Sequence, residues 1–279
     1  MTEASGDTRF DTSSRREFVE YYEKESLTEA TRRRFQGILD NVVRLAARTG
    51  RHSDHYLVLD IGCGAGTQSM LWAEAGHHVT GVDINAALIE IASARAAERR
   101  LDIDFRVASA TELPCESGSM DVCLMPELLE HVAQWERCLS EALRVVKPDG
   151  LLFVSTTNFL CPIQAEFNLP LYSWYPYRMK RHFERLAMTT RPQLANHARY
   201  PAVNWFSFYG LRHYLSSRSM TSFDRFDVMD AASRSTMQRA LLYMIRRSRL
   251  ARFLAHVLTP GTAIYAVGTA AIQRRVPAA

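Results

Sequence analysis

Between residues 56 and 156 short apolar runs alternate with longer segments whose apolar positions recur at helical spacing. Tyr56–Ile61 is the first run, followed by a helical stretch over 67–75 that Gly76 can end. His78–Val82 is the second, and Asn85 is suited to cap a helix over 86–99. Ile103–Val107 and Val122–Met125 follow, then a helix over 135–146, a Pro148-Asp149-Gly150 turn, and a strand at Leu151–Ser155. Runs apolar throughout, rather than alternating, fit strands covered on both faces. Their alternation with helices predicts an α/β, doubly wound, mostly parallel sheet.

On either side the pattern changes. Residues 15–48 read as helical, with Tyr21, Tyr22, Phe35, Ile38, Leu39, Val42 and Leu45 spaced by three and four. This predicts an N-terminal helical cap over 1–54, ahead of a main domain over 55–279. Residues 157–205 break the alternation with nine aromatics and six Arg or Lys against two Glu, which predicts an insertion folded as a lid over the carboxyl ends of the strands. The pattern resumes with a helix over 206–216, a strand at 223–229, a basic amphipathic helix over 233–257 and a small-residue strand at 262–270.

Composition narrows the classes. A chain of 279 residues, 47% hydrophobic and 23% charged, can bury a substantial core. A net charge of only +4 argues against nucleic acid as a partner. The five cysteines are scattered, with no C-x-x-C pair, so neither a disulfide framework nor a structural zinc site is expected. With a polar N-terminus and no long apolar run, the expected compartment is the cytoplasm.

The chemistry concentrates in LVLDIGCGAG (57–66). Glycines at 62, 64 and 66 follow a strand whose end, in such a sheet, borders a ligand site. A dinucleotide fingerprint needs its third small residue one position later, and a phosphate loop needs a Lys that is absent. Asp60 at the strand end would repel phosphate and suits an ammonium group. Asp83 ends the second strand 17 residues past Gly66, near the spacing at which an acid takes ribose hydroxyls. An ammonium site, a glycine loop and a ribose site together describe a nucleoside joined to an amino acid, as in S-adenosylmethionine.

DIGCGAG (60–66), VTGVDIN (79–85), ASATELP (108–114), MDVCLMPELLEHV (120–132) and RVVKPDGLLFVST (144–156) occur in that order. The series resembles class I S-adenosylmethionine-dependent methyltransferases, nearest the quinone-biosynthesis and natural-product small-molecule O-methyltransferases. The resemblance implies a Rossmann-like, seven-stranded sheet with an antiparallel last strand, S-adenosylmethionine as cofactor with S-adenosylhomocysteine as product, and no metal. It places Asp60, Gly62, Cys63, Gly64 and Gly66 at the methionine part, Asp83 at the ribose, Ile84 on the adenine, and Ser109, Ala110 and Thr111 at its edge. The family often has Asp where this chain has Ser109, a weaker acceptor for the adenine amine. Pro126 would line the reaction site, and Tyr21 would close over the cofactor, unless Tyr21 and Tyr22 only pack their helix.

His131, with a side chain that titrates near neutrality, is the candidate general base. His182 and His197 are its alternatives. Glu127 and, in the insertion, Tyr172, Trp174, Tyr175, Tyr177, Arg178, His182, Asn204 and Trp205 are candidates to face a small-molecule acceptor. The expected reaction is methyl transfer to a hydroxyl, with N- or C-methylation, or cofactor binding without turnover, as alternatives. For the helix over 233–257 two readings stand: packing of Leu241, Leu242, Ile245, Phe253, Leu254 and Val257 on the sheet, or contact of its arginines with an anionic membrane surface.

Overall fold

The computed structural model describes residues 16–195 and 202–269. Seven strands form one sheet in the order β3-β2-β1-β4-β5-β7-β6. They are β1 (Leu57–Ile61), β2 (His78–Asp83), β3 (Ile103–Val107), β4 (Met120–Pro126), β5 (Val146–Thr157), β6 (Met220–Asp224) and β7 (Gly261–Gly268). The first five pair in parallel, and β7 runs antiparallel between β5 and β6. The expected seven-stranded, mostly parallel sheet with an antiparallel last strand is what the chain forms.

Successive strand residues feed two cores, which is why the runs are apolar throughout. Leu59, Ile61, Cys123, Met125, Leu152 and Val154 face helices α5 (Trp135–Val145) and α7 (Phe208–Ser216). Val58, Val122, Leu124, Leu151 and Phe153 face α2 (Glu29–Arg48) and α3 (Thr67–Glu74). Ile38, Leu39, Val42, Leu45 and Ala46 of α2 are all buried in that second core, so this helix is a layer of the sandwich. α4 (Ala86–Glu98) packs on β2 and β3.

β5 starts at Val146 and takes in the expected Pro148-Asp149-Gly150 turn, with a register shift against β4. Three further segments differ from their expected extents, each for a local reason. The N-terminal helix divides into α1 (Arg16–Glu25) and α2, because the Thr28 hydroxyl accepts from Thr31 N and starts a new helix. The strand expected at 223–229 is Met220–Asp224, because Asp224 and Asp227 form a capping box that opens the short helix α8 (Arg225–Val228). The helix expected over 233–257 is two, α9 (Thr236–Arg247) and α10 (Arg249–Val257), because Ser248 is extended and its hydroxyl accepts from Ala251 N. Among its described residues the insertion carries one α-helix, α6 (Tyr177–Thr189), flanked by two short 3-10 turns.

The strand order reverses between β1 and β4. The turns after those two strands therefore lie side by side at the carboxyl edge, where an open α/β sheet binds its ligand.

Candidate active site

The turn after β1 is pinned from several sides. Gly62 N and Cys63 N both donate to Val82 O at the end of β2. Gly64 N donates to Asp83 Oδ2 at 2.9 Å, and Asn85 N donates to Asp83 Oδ1 at 2.9 Å. Asn85 also caps α4 through Leu88 N, which leaves Asp83 the task of tying the two turns together. Burial pushes the Asp83 carboxyl up, opposed by the backbone N–H bonds from Asn85 and Gly64. Each oxygen keeps a second lone pair for a hydroxyl donor.

Two of the glycines show why no other residue serves. Gly64 has φ +52° and nothing within 4 Å of where a Cβ would stand, so its backbone opens onto free space that a ligand can approach. Gly66 has φ +80°, and a Cβ there would lie 2.9 Å from both Ala92 Cβ and the Phe105 ring. Gly66→Ala is expected to cost about 2 kcal/mol or more in denaturant unfolding, since it combines overpacking with a left-handed backbone.

Asp60 is fully buried. Its Oδ2 accepts from Ser69 Oγ at 2.6 Å, and its Oδ1 has no hydrogen-bond partner among the described residues. Burial pushes the carboxyl up to about 7; the Ser69 bond opposes this and Asp83 adds to it. The same burial raises the Cys63 thiol well above its ordinary range. Sequence reading passed over Gln68, one helical turn before Leu71. It is buried at the start of α3, and neither end of its amide has a partner among the described residues. Unpartnered polar atoms on Asp60 and Gln68, carried by β1 and α3 on the two sides of the glycine turn, fit a ligand with an amino-acid end.

The residues expected at the adenine lie along the ends of β2 and β3. Ile84 is an apolar side chain left 57% exposed next to Asp83, a surface on which a base can pack. Ser109 Oγ pairs with Thr111 Oγ1 at 2.8 Å and accepts from Thr111 N at 3.2 Å, so it shapes its own turn. Ala110 is half-buried against the first core.

At the end of β4, Pro126 leads into Glu127, whose φ is +51°. That conformation is strained for a residue with a Cβ. It is held by Glu127 N donating to Ser155 O at 2.9 Å and Ser155 Oγ donating to Glu127 Oε1 at 2.6 Å. Glu130 is buried and accepts from Thr156 Oγ1 at 2.8 Å. Burial first, then Glu127, raises its carboxyl well above the usual range. Glu166, from the insertion, is pushed up to about 7 by burial and by Glu127. The Tyr22 phenol is raised by burial and by its neighbours Tyr21, Glu166, Glu130 and Glu127. The N-terminal helix, the insertion and the β4 turn thus meet around three carboxylates and two tyrosines. Glu130 and Glu166 were not singled out as site residues from sequence, where a Glu in a polar turn carries no distinguishing signal. His131 is exposed on the same turn.

α1 is fastened over the glycine loop by a residue the sequence did not flag. Arg95 of α4 donates to Ser26 Oγ at 2.9 Å, to Glu23 O at 3.1 Å and to Ala65 O at 3.4 Å. Thr67 Oγ1 adds a bond to Ser26 O at 2.9 Å.

The insertion candidates divide. Tyr172 is fully buried and stacks on Phe167 with centroids 4.0 Å apart, in a small core with Tyr175 and Trp205. Lys180 lies 4.2 Å from the Trp205 ring centroid and donates to Ser173 O, and burial lowers its ammonium to about 8. Asn204 donates to Leu129 O and Val132 O, and Val203 N and Asn204 N donate to Glu130 O, so the returning segment hangs on the β4 turn. Trp174, Tyr177, Arg178 and His182 are exposed, and His197 lies outside the described residues. A separate groove of about 470 Å³ opens between α5, α7 and the insertion; of the candidates it takes only Trp205. No group of three His, Cys, Asp or Glu suited to a metal ion occurs among the described residues.

Comparison with known proteins agrees with this geometry. Residues 59–154 match the family model described as a methyltransferase domain. The ubiquinone biosynthesis O-methyltransferase of Brucella anthropi is 38% identical over 142 residues, which is 49% of this chain and 56% of that protein. Its namesake from Caulobacter vibrioides is 40% identical over 126 residues, 43% of this chain and 49% of the other. The chain thus spans about half the length of the curated relatives it matches. Among solved structures, the YcgJ protein from Bacillus subtilis aligns with a TM-score of 0.51 at 17% identity, covering 81% of this chain and 97% of that one. Phosphoethanolamine N-methyltransferase 2 of Haemonchus contortus, solved with S-adenosyl-L-methionine, aligns with a TM-score of 0.51 at 16% identity, covering 90% and 59%. At such identities the two structures speak for the fold alone. Sheet order, glycine turn and family match agree with one another: residues 59–154 match the methyltransferase domain, and the chain is similar there to quinone-biosynthesis O-methyltransferases.

Proposed function

We propose that the chain is an S-adenosylmethionine-dependent methyltransferase that moves a methyl group to a hydroxyl of a small or medium metabolite, whether aromatic, lipid-linked or sugar-containing. The observation that carries this reading is the turn after β1, where Gly64 opens onto free space while Asp83 holds its amide and Asp60 keeps an unpartnered oxygen. Asp83 would hold the ribose, Ile84 the adenine, and Asp60 and Gln68 the amino-acid end. When bound, the cofactor supplies a methyl group already activated on a sulfonium. What remains for the protein is to align the acceptor, exclude water and take up a proton. Residues 1–54 would act as the cap and 157–205 as the lid for the second task, with Tyr21 and Tyr22 on the inner side of the cap.

His131 is the proposed base. His131→Ala is expected to slow transfer to a hydroxyl acceptor about a hundred-fold, in line with general-base catalysis. An unchanged rate would remove that role from His131. The three carboxyl groups Glu127, Glu130 and Glu166 favour a second reading, methylation of an amine, because carboxyls raised by burial, as Glu130 and Glu166 are, can bind an ammonium and take up the proton it must lose before it attacks. Incubation with methyl-labelled cofactor and small-molecule extracts tests both. A labelled ether or ester supports the first reading, a labelled amine the second, and no labelled product from any extract would leave a cofactor-binding protein.

A further inference from the structure

The segment that closes the sheet, from the end of β6 to the start of β7, packs differently from the reading of it as a single helix laid on the sheet. β6 runs in the same direction as β5, and β7 begins opposite Thr157. The connection through α8, α9 and α10 therefore lies on the carboxyl edge, the edge that carries the candidate site. Only one side of it is consumed by packing. Leu242 and Ile245 bury against Phe226, and His256 is buried with Asp224 Oδ2 3.0 Å from its Nε2. Asn158 Nδ2 holds His256 O and Thr259 O at 2.8 Å each, fastening the end of α10 to the end of β5.

The rest of the pair is apolar and open. Met237, Leu241 and Met244 recur at helical spacing on α9, and Leu250, Phe253, Leu254 and Leu258 on and just past α10. Met237 is 81% exposed, Leu250 68% and Leu258 78%. Of the six apolar positions expected to pack on the sheet, Leu241, Phe253 and Leu254 are instead exposed.

The charge carried by α9 and α10 themselves has one sign. Residues 231–260 contain six arginines and no Asp or Glu. Arg246 is committed to the carbonyls of Phe226, Asp227 and Met229, and Arg252 to Asp227 and Asp224. Arg234, Arg239, Arg247 and Arg249 are exposed and form no ion pair among the described residues. An apolar stripe rimmed by unpaired arginines is the surface that lies flat in the headgroup region of an anionic bilayer. A second copy of the chain suits it less, because a two-fold contact would set these arginines against one another with no carboxylate among residues 231–260 to answer them. No helix among the described residues is long and apolar enough to cross a membrane, so the contact would be peripheral.

We propose that α9 and α10 dock the protein on an anionic membrane surface, with Met237, Leu241, Leu250, Leu254 and Leu258 entering the headgroup layer and Arg234, Arg239, Arg247 and Arg249 pairing with lipid phosphates. The proposal is independent of the methyl-transfer reading. Flotation of the full chain with phosphatidylcholine vesicles, with and without phosphatidylglycerol, tests it. The protein is expected to float only with the anionic vesicles and to be released by salt. Arg→Gln at the four positions that form no ion pair lowers partitioning about five-fold per residue. Leu250→Ser with Leu254→Ser lowers it about ten-fold or more. Titration of each variant with S-adenosylhomocysteine, expected to match the parent, shows an intact fold and reads the cofactor proposal separately. Equal flotation with neutral vesicles, or none with either, overturns the proposal. So does a dimer in sedimentation velocity that the two Leu→Ser changes dissolve, which would assign the face to a second copy.

Discussion

Asp83→Ala is expected to weaken S-adenosylhomocysteine binding about a hundred-fold or more, measured by isothermal titration. Two losses combine. A carboxylate that accepts from ribose hydroxyls contributes about 1.5–3 kcal/mol per bond to a charged acceptor. The same carboxylate accepts from Gly64 N and Asn85 N, so its removal also frees the turn that the ligand must meet in one conformation. The two parts separate with a smaller probe. Adenosine carries the ribose and lacks the amino-acid end, so its binding should fall with Asp83→Ala and stay unchanged when Asp60 is altered. Affinity within about three-fold of the parent for both ligands would show that Asp83 only ties the turns.

The tie of Gly64 to Asp83 joins the two parts of the molecule most legible in the sequence, the sheet and the turn after β1. The sheet was legible because each strand is buried on both sides, and a run such as Leu57–Ile61 has one reading once helices alternate with it. The turn after β1 was legible because left-handed backbone at three alternate positions demands glycine. Boundaries set by a single polar side chain were harder. Asp224 sits in an otherwise strand-like stretch, and only its capping box with Asp227 stops β6 there. Ser248 breaks α9 from α10 within an unbroken amphipathic pattern.

The acceptor side was legible only as a zone. Aromatic enrichment located the insertion, but enrichment does not tell a ring that lines a site from one that fills a core. Tyr172 and Trp205 belong to a core of the insertion's own, and Asn204 is spent on the carbonyls of Leu129 and Val132. Glu130 and Glu166 come together from positions 36 residues apart through burial beside Glu127 and Tyr22, a meeting that no local pattern encodes.

Asp60→Asn should move stability and binding in opposite directions. Asn keeps the shape and can still accept from Ser69 Oγ, while removing a charge that is fully buried with one oxygen unpartnered. In the parent the folded carboxyl titrates near 7 against an ordinary value of 3.8, so between those values the folded state holds a proton that the unfolded chain has released. Stability from this group is therefore full below pH about 4 and falls as pH rises to about 7, with the penalty complete above it. The cofactor-free variant loses that slope. At pH 8 it should be more stable than the parent by about 2–4 kcal/mol in denaturant unfolding, and at pH 4 the two should coincide. Binding runs the other way, because an ammonium favours the ionised carboxyl: Asp60→Asn should weaken S-adenosylhomocysteine about ten- to a hundred-fold, with the gap widening as pH rises through 7. A variant that is more stable and binds as tightly as the parent would mean that the carboxylate never meets the ligand. One that is less stable at pH 8 would mean that a partner holds its charge in the folded state. The outcome expected from the geometry is a carboxylate kept at a cost to the fold because the amino-acid end of the ligand needs it there.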